Sequence, residues 1–171
     1  AWARAWSGDR ELYAYSYASE ATPRTTLIRS WDLLEEGRYD EALSLARRLC
    51  AWDPRHPGLA QVLGIAVFRH PGLTLEERLS ALGCPGLDPA WSGSFRGAVL
   101  AQGGRPAAGF AEAARGLEQP AAFVEKLSEV AADAAFLCAA AGRDDCEAFA
   151  GRVRADAPAG AWDEDRFRRR L

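Results

Sequence analysis

Residues 23–54, PRTTLIRSWDLLEEGRYDEALSLARRLCAWDP, decide how the rest of the chain reads. Thr22-Pro23 is a helix start: threonine can accept from a free amide, and proline in the first turn gives up only an N–H that lacks a helical partner. Leu27, Ile28, Trp31 and Leu34 follow at helical spacing and predict one apolar face. Gly37 predicts the end of that helix, because glycine takes the left-handed cap conformation at little cost. A second helix follows at once, with Asp40 and Glu41 in its first turn, where acids suit the helix dipole. Its apolar face is Tyr39, Ala42, Leu43, Ala46, Leu49 and Cys50, and Asp53-Pro54 stops it. Two helices joined by so short a turn must lie antiparallel. A lone pair cannot bury both apolar faces and needs a neighbour of its own kind.

The unit resembles a tetratricopeptide repeat. Gly37, Tyr39, Ala42 and Pro54 match that pattern's turn glycine, following aromatic, small contact residue and terminating proline. Thr26 stands where the family has a large aromatic, and Ser30 where it often has glycine. The resemblance implies an all-α chain of antiparallel helical hairpins stacked as a short right-handed α-solenoid. It also implies that the first helices line a concave groove. Carried over position by position, the groove residues are Arg24, Leu27, Trp31, Leu34 and Glu35 in the first unit. In the second they are Gly58, Gln61, Ile65, Phe68 and Arg69. Arg24, Trp31, Gln61, Phe68 and Arg69 are thus the expected partner-binding residues, with Trp31 and Phe68 as aromatic anchors unless they fill core space.

Outward from this hairpin, His56-Pro57 opens GLAQVLGIAVFRH, and Leu63-Gly64 fits the Leu-Gly pair of the repeat. Pro71-Gly72 predicts a turn, and LTLEERLSALGC a partner helix ending at Cys84-Pro85-Gly86. Asp88-Pro89 starts AWSGSFRGAVLAQ, Gly103-Gly104 turns, and RPAAGFAEAARGLEQ returns. After Gln119-Pro120, a long helix presents Phe123, Leu127, Val130, Ala134 and Leu137 on one face. Gly142 turns it into RDDCEAFAGRVRADAP. The expected turn glycines Gly37, Gly72, Gly104 and Gly142 lie 35, 32 and 38 residues apart, an imperfect period near 34. A non-repetitive helical bundle stays open as the alternative. Residues 1–21, rich in Trp2, Trp6, Tyr13, Tyr15 and Tyr17, read as an N-terminal helix capped by Asp9. Residues 22–158 read as about four hairpins and 159–171 as a capping helix with Glu164–Arg168 and Asp165–Arg169 pairs, all within one domain.

The 171 residues are 49% hydrophobic, enough for a sizeable core, and a formal charge of −3 gives no general attraction to nucleic acid. No run of about 18 apolar residues is present, so no transmembrane segment is expected. Met and Asn are absent and Lys126 is the sole lysine, a bias that reads first as GC-rich coding. The first residue is alanine, which reads as processing or trimming, with no signal peptide in view.

Four cysteines allow three pairings. Cys138 and Cys146 flank Gly142 by four residues each and would face one another across a tight hairpin. Cys50 and Cys84, 34 residues apart, end successive second helices. Bridging at 50–84 and 138–146 would suit an extracytoplasmic compartment: periplasmic, secreted or envelope-associated. Four reduced thiols would suit the cytoplasm. No Cys-x-x-Cys occurs and His56 and His70 are the only histidines, so neither a metal nor a cofactor is expected. No phosphate-binding glycine loop, nucleophile elbow or His-Glu-x-x-His signature appears, and the acids Asp144, Asp145 and Glu147 sit where a helix's first turn favours them. The expectation is a non-catalytic scaffold for a peptide or protein partner. A constitutive subunit or assembly factor of a larger envelope complex is the second reading, and a thiol-dependent enzyme the third.

Overall fold

The computed structural model describes residues 22–56, 58–118 and 127–169. The aromatic stretch 1–21, with its expected Asp9 cap, and Phe123 lie outside the described residues. The described residues fold into nine helices and no strand: α1 (Pro23–Glu35), α2 (Tyr39–Trp52), α3 (Leu59–Arg69), α4 (Leu75–Ala81), α5 (Pro89–Gln102), α6 (Pro106–Leu117), α7 (Leu127–Ala140), α8 (Cys146–Ala155) and α9 (Glu164–Arg168). Thr22 caps α1 through a reciprocal box with Thr25, and Asp88 caps α5 by accepting from the Trp91 amide at 3.1 Å.

Three of the turns share one mechanism. Gly37, Gly104 and Gly142 take φ of 74°, 76° and 70°. The amide of the arginine after each reaches back to a carbonyl in the last turn of the preceding helix: Arg38 to Leu33 at 2.8 Å, Arg105 to Leu100 at 2.9 Å, Arg143 to Cys138 at 3.3 Å. Only a residue without Cβ enters that conformation cheaply, and the bond satisfies a carbonyl that the helix end would leave bare. The fourth expected turn glycine differs: Gly72 is not among the described glycines with positive φ. Pro71 is the reason. Proline pushes the preceding residue out of the helical region, so α3 stops at Arg69 and His70 is extended at φ −64°, ψ 121°. The chain re-enters a helix only after Thr74, whose box with Glu77 starts a seven-residue α4.

Each helix packs on its successor from α1 through α8, and α1 also touches α3, α3 touches α5, and α5 touches α7; α9 rests on α7. Consecutive first helices therefore lie side by side. One core joins Leu33, Leu34, Leu43, Leu49, Leu59, Val62, Leu63 and Val67 of the first two hairpins to Val99 of α5. A further cluster joins Ala113, Ala134, Leu137 and Phe149 of α6, α7 and α8. The buried side of α1 is Thr26, Ser30, Leu33 and Leu34, rotated from the expected face, which leaves Leu27, Ile28 and Trp31 half-buried. The two departures from the repeat pattern, Thr26 and Ser30, are thus interior; the Ser30 hydroxyl donates to the Thr26 carbonyl at 2.8 Å and is satisfied on its own helix.

The closest approach is between α5 and α6. A Cβ on Gly97 would lie 2.6 Å from the Gly109 carbonyl oxygen and 2.8 Å from Leu137 Cδ1, and one on Gly109 would lie 2.5 Å from the Gly97 carbonyl oxygen. Gly93 and Gly116 repeat the pattern, with Cβ positions 2.7 Å from the Glu112 oxygen and 2.4 Å from the Pro89 oxygen. The obstructing atoms are backbone, which cannot swing aside. Gly64 is different: the Phe95 ring of α5 occupies its Cβ space at 2.2 Å.

Gly97→Ala should lower stability by about 2 to 3 kcal/mol, the cost of forcing an atom into a close-packed contact. Gly151→Ala, in α8 with nothing within 4 Å of its Cβ, should raise it by about 0.5 to 1 kcal/mol through helix propensity. Urea unfolding of the two variants beside the parent reads both signs.

Candidate functional site

The first helices α1, α3, α5 and α7 form a layer that carries the expected binding residues. Arg24 is exposed near the start of α1, and Trp31 is half-buried on α1, its ring packed against the first core. On α3, Gln61 and Ile65 are half-buried, Phe68 is 39% exposed and Arg69 is exposed. Leu34, carried over as a groove residue, is instead 3% exposed in the core beside Leu33, because α1 turns that side toward its own partner helix. Trp31 is therefore both wall and packing. One residue escaped the sequence reading: Phe136 of α7, 61% exposed. It stands six residues before Gly142, as Trp31 stands six before Gly37, so the two share a register before their turns, although Trp31 packs on the core and Phe136 is exposed. That spacing was the available signal.

At the turn end of this layer an open cleft of 530 Å³ separates the C-terminal ends of α3 and α5 from α4. Phe68, Leu75 and Val99 give it apolar walls, and Arg69, His70 and Arg78 its charged and polar ones. Arg78 organises it. The guanidinium donates to the carbonyls of Phe68 (3.0 Å), Leu73 (3.0 Å) and His70 (2.7 Å), and to Gln102 Oε1 at 3.3 Å. One side chain so caps the C-terminus of α3, ties down the turn at Pro71-Gly72 and reaches α5. Arg96 of α5 supports α4 from the other side, donating to the Leu79 carbonyl at 3.2 Å and pairing with Glu112 at 3.4 Å.

His70 Nδ1 accepts from the Gly72 amide at 3.1 Å, so Nε2 carries the proton and donates to Asp40 Oδ1 at 2.9 Å. The ring thereby links the first two hairpin turns and needs no charge to do so. Hydrogen bonding from the Arg38 guanidinium holds the carboxyls of Glu36 and Glu41 below the usual range. The Thr74 amide does the same for Glu77, the Arg143 side chain for Asp145, and the Trp162 indole for Glu164. These are cap and turn contacts of exposed acids rather than a reactive set.

All four cysteines are bridged: Cys50 to Cys84 with Cα atoms 5.9 Å apart, and Cys138 to Cys146 at 5.6 Å. The first joins the ends of α2 and the α4–α5 loop; the second crosses the Gly142 turn. Ligand atoms of Cys138, Asp145 and Cys146 fall within 4.8 Å of one another, a convergence the sequence spacing did not suggest. With the sulfurs bonded together and Asp145 held by Arg143 at 2.6 and 2.8 Å, this trio braces a turn. At the far end α9 covers α7: the Asp163 amide donates to Ser128 Oγ at 2.7 Å, Trp162 packs on Phe167, and Glu164 pairs with Arg168 at 2.8 Å. No described helix is long and apolar enough to cross a membrane.

No family model, no curated protein and no solved structure matches this chain.

Arg78→Ala should cost about 2 kcal/mol, since several charge-assisted bonds are lost from a partly exposed group; equilibrium denaturation measures it. Replacing Cys50 and Cys84 by serine should cost more than replacing Cys138 and Cys146. For loops of 34 and 8 residues, closure entropy gives about 4 and about 2.5 kcal/mol. Intact mass before and after reduction verifies the bridges, and unfolding of the two double variants verifies the order.

Proposed function

We propose that this chain is a non-catalytic interaction module of the tetratricopeptide kind, holding a peptide or a partner protein along its layer of first helices in an oxidising, extracytoplasmic compartment. The observation that carries the reading is the order of helix contacts: each first helix touches its own partner helix, the partner before it and the next first helix. On this reading the first helices share one face, to which Arg24, Trp31, Gln61, Phe68, Arg69 and Phe136 are assigned. Of the three large apolar side chains exposed among the described residues, Phe68 and Phe136 stand on first helices and Trp52 on α2, and the first two support contact of this layer with another chain. The two bridges favour a compartment that keeps thiols oxidised.

An envelope location also accommodates a permanent subunit of a larger assembly. Affinity capture from the native source separates the two: an exchangeable partner elutes at variable ratio, a fixed assembly at constant stoichiometry. The groove itself is tested on an array of acetylated, amidated random peptides probed with the labelled protein. A defined subset should bind, and Trp31→Leu combined with Gln61→Glu should weaken those peptides by about tenfold while the helical circular dichroism stays. An array without selected peptides, or binding that ignores the double variant, contradicts the groove.

A further inference from the structure

The cleft at the turn end is lined by two arginines, Arg69 and Arg78, and by no carboxylate. Arg78 bonds four oxygens, and all are neutral: three carbonyls and the Gln102 amide. Arg69 forms no ion pair or hydrogen bond among the described residues, although it stands exposed beside Phe68. Of the acids on neighbouring elements, Asp40 bonds the His70 ring and Glu77 the Thr74 cap, and Glu76 stands exposed beside Leu75. Two guanidinium groups without an anion, against the apolar walls of Phe68 and Leu75, are complementary to a carboxylate next to an aliphatic or aromatic side chain.

The row of first helices fixes how far such a ligand extends. Among the described residues, Phe136 is the other exposed large apolar side chain on the first helices, two first helices beyond α3. Packed helix axes lie about 10 Å apart, so the span from cleft to Phe136 is about 20 Å. An extended chain covers that in about six residues.

We infer that the cleft receives an acidic side chain within an extended segment of a partner protein, and that a large apolar residue about six positions away in that segment seats on Phe136. This rests on the groove reading above and adds its chemistry. The segment passes through the cleft, so its carboxylate comes from Asp or Glu and not from a chain terminus.

The test uses acetylated, amidated random 12-residue peptides, which carry no terminal charge, beside the same pool with free carboxyl termini. Selected peptides should be enriched in Asp or Glu, with Leu, Ile or Phe about six positions away. Arg69→Glu, at an exposed site that burdens no packing, should weaken them about tenfold and shift selection toward basic residues. Arg152→Glu, a charge reversal on α8, should leave the same peptides bound, and Phe136→Ala should erase the distal apolar preference alone. Selection without acidic enrichment, indifference to Arg69→Glu, or binding confined to free carboxyl termini overturns this inference while the groove stands. No selected peptide at all overturns both.

Discussion

Helices α5 and α6 meet backbone to backbone, and the row on either side depends on that contact. Gly93 and Gly97 on one helix and Gly109 and Gly116 on the other leave room for carbonyl oxygens where side chains would otherwise stand. Glycine inside a helix is expensive, about 1 kcal/mol at each position relative to alanine. Four such positions therefore cost about 4 kcal/mol in intrinsic helicity, and the close packing must offset it. The side chains of Ala113 and Leu137 close over the contact, nearly shut off from solvent, and burying a leucine side chain contributes roughly 1.5 to 3 kcal/mol. Leu137 also brings α7 to the same spot, so one contact sets the mutual positions of three helices.

The second hairpin shows what happens where the local signals are weaker. Pro71 ends α3 without a glycine cap and leaves room for only seven residues in α4, of which Ala81 is buried. So short a helix contributes little packing of its own. Arg78 and Arg96 hold it by its neighbours' carbonyls, and the Cys50–Cys84 bridge closes the loop behind it. Directional polar contacts replace apolar area here. They leave a cleft behind, lined by Arg69 and Arg78, on which the proposal of an acidic segment rests.

Much of this was legible in the residues. Thr22-Pro23, Gly37, Gly104, Gly142 and Asp88-Pro89 carry local chemistry that any fold must respect, and they mark helix ends in the structure as read. The two cysteine pairings followed from equivalent places at helix ends and from symmetry about a turn. The turn at Pro71-Gly72 forms as read, but without the left-handed glycine of the other three, because the proline before it decided the backbone. The α5–α6 contact was hidden for another reason: Ser-Gly-Ser-Phe-Arg-Gly reads as a weak helix until the partner helix is beside it, and the value of a missing side chain is tertiary. Of the expected binding residues, Phe68 and Arg69 are exposed. Leu34, carried over from the repeat pattern as a groove residue, lies in the core, where its place in the apolar spacing of α1 puts it.

Native-state hydrogen exchange tests the structural claim at the centre of this account. If the glycine contact anchors the row, amides of α5 and α6 should open only with global unfolding, while α1 and α9 at the two ends open at lower free energy. Amides of α5 and α6 exchanging as readily as those of α9, with the protected core elsewhere, would contradict it.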